Sequence, residues 1–206
     1  QHPNIEILTN TRVIDVAGQA GDFTVSLRQE PRYVNAVSCI NCGHCSEVCP
    51  VELPDSHQSG MSTRKAAYKV AARAAPDTYV IDRGPYCDEC GKCIDVCPTQ
   101  AIDLSEQPRL LTVGVGAIIL ALGFKTFDPS GLEELGYGRS QNVVSAMEYE
   151  RLASRSGPTE GVVTRPSDGK HPGSIAWLQC IGSRDQDRAY CSSICCMYAT
   201  KEAMLA

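Results

Sequence analysis

No stretch of this chain is apolar for long enough to cross a bilayer. The longest candidate, residues 113–124, is interrupted by glycine and falls well short of the roughly 20 residues a spanning helix needs. An excess of basic residues is also missing. Lys and Arg number 19 against 24 Asp and Glu, and the formal net charge of -5 argues against nucleic acid as a main partner. No secretory signal is visible at the start. The G-x-G-x-x-G fingerprint of a dinucleotide phosphate site is absent. The chain is not poor in apolar residues, however: 43% hydrophobic and 21% charged over 206 residues describes one or two globular domains and excludes disorder. It opens on Gln1 rather than methionine and stops in what reads as a helix, so it is expected to be a piece of a longer protein.

What the chain has in excess is cysteine, twelve in all. Eight of them fall in one word written twice. The first copy is Cys39-Ile-Asn-Cys42-Gly-His-Cys45-Ser-Glu-Val-Cys49-Pro50, and the second is Cys87-Asp-Glu-Cys90-Gly-Lys-Cys93-Ile-Asp-Val-Cys97-Pro98. Both read C-x2-C-x2-C-x3-C-P, the run that ligates [4Fe–4S] clusters in bacterial ferredoxins. Gly43 matches Gly91 and Val48 matches Val96, so the copies form an internal repeat. Three thiolates two residues apart on a tight loop can hold three corners of a cubane. In two-cluster ferredoxins the fourth cysteine ligates the other cluster. That rule assigns Cys39, Cys42, Cys45 and Cys97 to one cluster, and Cys87, Cys90, Cys93 and Cys49 to the other. Pro50 and Pro98 hold the preceding cysteines in extended geometry. Zinc favours two C-x2-C pairs across a long spacer, and disulfide scaffolds suit short secreted chains, so both fit less well. His44, inside the first loop, reads as a tuning or surface residue, since four thiolates already fill a cubane. Cysteine usage of this kind implies a reducing, anaerobic cytoplasm.

Around the repeat the pattern is mostly β. Short strands are expected at residues 5–8, 12–16 and 23–27, with Gly18, Gly21 and Asp22 in the turn between the last two, as a meander. Strands at 79–82 and 101–104 flank the second cysteine run. A helix is expected over 62–75, capped by Ser62 and stopped by Pro76, with Arg64, Lys65, Lys69 and Arg73 on a solvated face. Beyond the repeat, residues 109–113 read as a strand and 117–121 as a buried one. The cysteine module therefore reads as inserted between the meander and the strand at 109. Residues 126–173 are rich in loops, interrupted by a helix over 145–153 with a capping box from Ser145 and Glu148.

A β-run at 174–179 ends on Cys180. A turn then leads to Cys191-Ser-Ser-Ile-Cys195-Cys196 and a periodic helix to Leu205. Four thiolates at a strand end and a helix start can hold a third cubane. Buried, unligated cysteines are the plainer alternative.

These residues resemble the A-type subunit of heterodisulfide reductase, an iron–sulfur flavoprotein family. The resemblance rests on Trp177-Leu-Gln-Cys180-Ile-Gly-Ser-Arg-Asp185, on Tyr190-Cys191-Ser-Ser-Ile-Cys195-Cys196-Met197-Tyr198-Ala199-Thr200-Lys201, on Pro166-Ser-Asp-Gly-Lys170, and on the ferredoxin module. It implies an α/β fold: a partial thioredoxin-reductase-like FAD domain (1–34 and 108–206) interrupted by a two-cluster α+β ferredoxin (35–107). It further implies that Cys180, Cys191, Cys195 and Cys196 bind a cluster near the flavin, which makes three clusters here. Lys201 matches the lysine placed near flavin N5, the family's acidic neighbour of the flavin falls on Glu150 with Glu148 as rival, and Gly123 ends a motif resembling the second flavoprotein signature, with Leu122 where threonine is usual. The resemblance also implies electron bifurcation by the full-length protein. The partners expected from it are other heterodisulfide reductase subunits, a hydrogenase or formate dehydrogenase-type donor, and ferredoxin. The competing reading is a non-catalytic electron relay.

Overall fold

The computed structural model describes residues 2–71, 74–87 and 90–206. They fall into two compact units, one built from Gln1–Leu53 with Arg64–Leu122 and the other from Pro54–Thr63 with Gly123–Ala206.

The first unit starts with a hairpin. Strands β1 (Thr11–Gln19) and β2 (Asp22–Gln29) pair antiparallel, from Gln19↔Asp22 out to Thr11↔Gln29, with a register shift between Val13 and Asp15. The tight connection is possible because Gly18 and Gly21 take positive φ. The third strand of this sheet, β7 (Arg109–Val115), lies far along the chain and pairs antiparallel with β2, Phe23 facing Val115 and Gln29 facing Arg109. Residues 5–8 form no strand, contrary to expectation; Ile5 and Ile7 are exposed. The third position was thus filled by a distant strand, because an alternating pattern states that a strand wants a partner without saying which.

Everything between β2 and β7 leaves and returns through a narrow neck. Val34 bridges Ile102, the Asn35 amide donates to the Ala101 carbonyl at 2.7 Å, and the Asp103 amide donates to the Tyr33 carbonyl at 3.1 Å. The Glu106 carboxylate closes it further by accepting from the amides of Arg32 and Tyr33. Within the neck the cysteine repeat is a structural repeat, almost bond for bond. Helix α1 (His44–Glu47) follows Gly43 at φ 88, and α2 (Lys92–Asp95) follows Gly91 at φ 75. The Glu47 and Asp95 amides donate to the carbonyls of those glycines at 3.2 Å, and Val48 and Val96 cap the two turns.

After the first cysteine loop comes a short strand, β3 (Glu52–Pro54). The expected helix over 62–75 is not there. In its place are β4 (Thr63–Lys65) and β5 (Ala67–Tyr68), while residues 72 and 73, and so Arg73, lie outside the described residues. Strand β5 pairs with β6 (Val80–Ile81), and the Ala66 amide and carbonyl are taken by Val51 and Asp82. Helix propensity is worth tenths of a kcal/mol per residue, and these packing demands override it. Ala66 and Ala67, each 1% exposed, sit where larger side chains would not fit. The basic face is not simply solvated either. Arg64 pairs with Asp82 at 2.7 Å and lies over the Tyr68 ring, Lys65 pairs with Glu52, and Lys69 pairs with Asp77 at 2.5 Å.

In the second unit, helix α3 (Ala146–Ala153) carries the expected capping box: Ser145 Oγ accepts from the Glu148 amide and Glu148 Oε2 accepts from the Ser145 amide. The loop 54–63 packs on α3 through Gln58, which accepts from Arg151 Nε at 2.9 Å and donates to the Ser156 carbonyl at 2.8 Å. Helix α4 (Cys195–Leu205) runs beside α3 and is joined to it by Tyr149, whose hydroxyl donates to the Glu202 carbonyl at 3.4 Å and whose ring meets Trp177 edge-on at 5.9 Å. The run 174–179 belongs to no strand among the described residues. The run 117–121, in the first unit, is also unpaired among the described residues, and Ile119 is 92% exposed rather than buried. Apolar character marks a strand as buried only where a neighbour covers it. Among the described residues no helix is long and apolar enough to cross a membrane.

The two glycines that open α1 and α2 differ in surroundings, which gives a test. A Cβ on Gly43 would lie 3.2 Å from the Tyr79 hydroxyl, whereas nothing described comes within 4 Å of one on Gly91. Gly91→Ala should cost about 1–2 kcal/mol, the price of a left-handed alanine, and Gly43→Ala should cost measurably more. Denaturant unfolding of the two variants side by side checks the order.

Candidate iron–sulfur centres

Short loops deliver the cysteines, and an apolar core receives them. Cys45, 7% exposed, belongs to the cluster of buried residues with Val34, Ala67, Ile81, Ala101 and Ile102, and Cys39, Cys49, Cys93 and Cys97 pack against it. Cys49, Cys87, Cys90 and Cys93 line one small pocket, walled by Val51, Ile81 and Leu104. These four are the set that the cross-over rule assigns to one cluster. Among the described residues no three His, Cys, Asp or Glu side chains gather tightly enough for a single ion. A pocket lined by thiols suits a four-iron group, whose ligands sit at the corners of a cube.

The other set gathers around Cys45. Burial pushes the Cys45 thiol up to about 11, and the nearby sulfurs of Cys39, Cys42 and Cys93 push the same way. Cys97 lies on this side, close enough for the Cys39 charge to act on it. The hydrogen-bond donors are placed as negative sulfurs need. The Ala101 amide donates to Cys97 Sγ at 3.3 Å, which helps hold that thiol low against the opposing effect of burial. Cys39 is held low too: burial raises it, but the Thr78 hydroxyl, the amides of Tyr79 and Asn41 and the Lys69 ammonium outweigh burial. His44 stays at the surface, 3.6 Å from Glu47.

In the second unit the remaining four cysteines lie before and at the start of α4. Cys195 and Cys196 are its first two residues after Ile194. The Ser192 hydroxyl donates to Cys195 Sγ at 3.4 Å, and the Ser193 amide donates to Cys191 Sγ at 3.3 Å. The Ser192 hydroxyl, followed by the Cys180 amide, holds Cys195 below the ordinary thiol range, while the Cys195 charge, burial and the charges of Cys180 and Cys191 hold Cys196 above it. Cys195, Cys180 and Cys191 are each near enough to Cys196 for their charges to act on it.

Farther along α4, Lys201 Nζ sits 2.6 Å from both oxygens of Glu150. That hydrogen bond and the Glu150 charge hold the Lys201 ammonium protonated to higher pH than usual. Glu148, the rival acid, is used up by its capping box and by the Tyr137 hydroxyl. Gly123, at φ 69 with open space where a Cβ would be, adjoins Phe124, whose ring meets Tyr198 on α4 edge-on at 6.5 Å. Tyr198 and Lys201 lie three residues apart on one helix face. Glu150 and Lys201 are therefore brought together, while Gly123 is linked to α4 only through its neighbour Phe124.

Sequence reasoning missed the supporting groups. Asn41, at φ 58, donates through Nδ2 to the Asp77 carbonyl at 2.6 Å, and Thr78 and Tyr79 follow against the first cysteine loop. An asparagine inside a cluster loop was the available signal, since asparagine tolerates left-handed backbone. Glu202, 2% exposed, accepts from Trp177 Nε1 at 2.9 Å, and burial raises its carboxyl above the usual range.

Residues 38–102 match the family of 4Fe-4S dicluster domains. Over its full length the chain is 49% identical to the second A-type iron–sulfur subunit of CoB–CoM heterodisulfide reductase from Methanopyrus kandleri, covering 31% of that protein. It is 42% identical, again over its full length and 31% of the relative, to the A-type component of the H2:CoB–CoM heterodisulfide, ferredoxin reductase of Methanothermobacter marburgensis. The corresponding component of the H2/formate:CoB–CoM heterodisulfide, ferredoxin reductase of Methanococcus maripaludis is 44% identical over 99% of the chain and 31% of its own length.

Proposed function

The chain belongs to the family of A-type iron–sulfur subunits of heterodisulfide reductase, and from that premise we propose that it carries electrons in a heterodisulfide reductase-type complex, between FAD and three [4Fe–4S] clusters. The lining of one pocket by Cys49, Cys87, Cys90 and Cys93 is the observation that carries this reading. Cys39, Cys42, Cys45 and Cys97 hold the second cluster, and Cys180, Cys191, Cys195 and Cys196 the third. Bound FAD would take up electrons in pairs, while the clusters pass them singly, so a pair can be split between two routes.

The chain's own residues supply binding and electrostatics. Gly123 offers backbone to the flavin without a Cβ. Lys201, kept protonated by Glu150, supplies a cation against the charge that a reduced flavin develops. Residues 1–34 and 108–206 belong to the thioredoxin-reductase-like flavoprotein domain, and 35–107 are its inserted ferredoxin. The chain spans 31% of these relatives, so the activity of the whole protein belongs to a longer chain. Partners follow from the relatives' names: further reductase subunits, an H2- or formate-oxidising donor and ferredoxin; the cysteine usage suits a reducing cytoplasm.

Stopped-flow reduction of the complete anaerobic complex tests the reading. Flavin bleaching should be followed by reduction of two distinct acceptors, one of them ferredoxin. Flavin that stays oxidised while the clusters turn over would leave only a relay. Both electrons arriving at one acceptor would defeat bifurcation.

A further inference from the structure

Thr78 is 4% exposed, and its Oγ1 satisfies hydrogen-bond geometry with no group among the described residues. An orphaned buried hydroxyl is destabilising, so its position calls for a reason. The segment around it is clamped to the first cysteine loop from both sides. Asn41 Nδ2 donates to the Asp77 carbonyl at 2.6 Å, Lys69 Nζ pairs with the Asp77 carboxylate at 2.5 Å, and the Tyr79 hydroxyl lies over Gly43. Held this way, Thr78 lies against the first cysteine loop, its hydroxyl near enough to lower the Cys39 thiol without completing a hydrogen bond to it. A neutral thiol is a weak acceptor, whereas a thiolate bound to iron is a strong one. The hydroxyl therefore finds its partner when Cys39 carries a cluster.

We propose that the Thr78 hydroxyl donates to the cluster-bound Cys39 thiolate and so raises the reduction potential of the cluster held by Cys39, Cys42, Cys45 and Cys97, independently of its neighbour. Reduction adds one negative charge to the cluster and its sulfurs. A donor aimed at one of them stabilises the reduced form more than the oxidised one. Thr78 is thus a positioning and tuning residue that sets where, along the two-cluster path, an added electron rests. The inference depends on the ligand sets proposed above.

Anaerobic redox titration followed by EPR, with iron and acid-labile sulfide analysis, tests it on the chain with its clusters in place. In Thr78→Val one cluster, and one alone, should show about a tenfold lower ratio of reduced to oxidised form at the wild-type midpoint, a shift of about 59 mV for one electron. Thr78→Ser, which keeps the hydroxyl, should stay within about twofold of wild type on the same scale. No shift in Thr78→Val, equal shifts in all clusters, or a serine variant that follows valine would overturn the proposal. Should the valine variant fail to hold that cluster, loss in Thr78→Ala with retention in Thr78→Ser supports the contact, and loss in all three overturns it. A wild-type chain without cubanes would instead sink the ligand assignment, an outcome the sulfide analysis separates from the rest.

Discussion

Stripping iron from the chain should unfold residues 38–102. The matched domain is only about 65 residues, below the size at which a hydrophobic core alone usually suffices. Its local structure has little stability of its own. Helices α1 and α2 are four residues each, far short of the roughly 12–15 a helix needs to persist in water. Strands β5 and β6 are two residues each. Much of the buried set is alanine, so the cysteines and what they bind must supply the missing cohesion. Amide exchange should show loss of protection across the neck pairs Val34↔Ile102 and Asn35–Ala101 after oxidative chelation. Cys45→Ser should reach much of the same end by a single substitution. It should lose one cubane, about four irons per chain, because a buried serine hydroxyl ionises even less readily than the Cys45 thiol that burial already pushes to about 11. The sign also sets a pH dependence. The iron-free thiol is protonated at neutral pH, cluster assembly must release that proton, and reconstitution should grow easier as pH rises. Retained exchange protection in the iron-free chain would show that the core stands unaided.

The cysteine repeat was legible because cluster ligation demands fixed residue types at fixed spacing, and little else in a sequence is so constrained. Gly43 and Gly91 follow from the same demand, since the chain must turn left-handed between the second and third thiolates. The insertion was legible for a related reason: strands at 23–27 and 109–113 bracket the repeat, and β2 and β7 do pair. Pairing elsewhere was not. Residues 5–8, 117–121 and 174–179 have strand-like patterns, but a pattern records which side of a strand is apolar, not whether a neighbour offers its hydrogen bonds. The segment 62–75 failed in the opposite sense. Its alanines and lysines favour helix by small increments, while the space beside the cysteines admits only short extended pieces. Ser145 and Glu148 were read correctly because a capping box is local. The choice of Glu150 over Glu148 came from family likeness alone; in the structure Glu148 is occupied in the cap and Glu150 pairs with Lys201. Thr78 and Asn41 left almost no trace, since their roles depend on contacts 36 or more residues apart in the chain.

Cys195→Ser should lower iron from about twelve to about eight per chain, with acid-labile sulfide falling in step. Cys195 and Cys196 open α4, where the helix dipole favours negative charge. Adjacent thiolates repel, however, and the Cys195 charge is the largest cause of the raised Cys196 thiol. One member of the pair is thus poised to ionise while the other resists, until a cationic group lies between them. Bound iron is such a group, and it converts a repulsive pair into two ligands. Ser192 and Ser193 then donate to sulfurs that carry charge, which a set of inert core cysteines would not require. The serine variant removes the thiolate that ionises first, so the whole third cluster should go while the ferredoxin pair stays. Circular dichroism guards against a trivial loss, because α4 continues for nine residues beyond Cys196 and keeps the Lys201–Glu150 pair. If iron and sulfide match wild type in the folded variant, the four cysteines hold no cubane and the third centre must be given up.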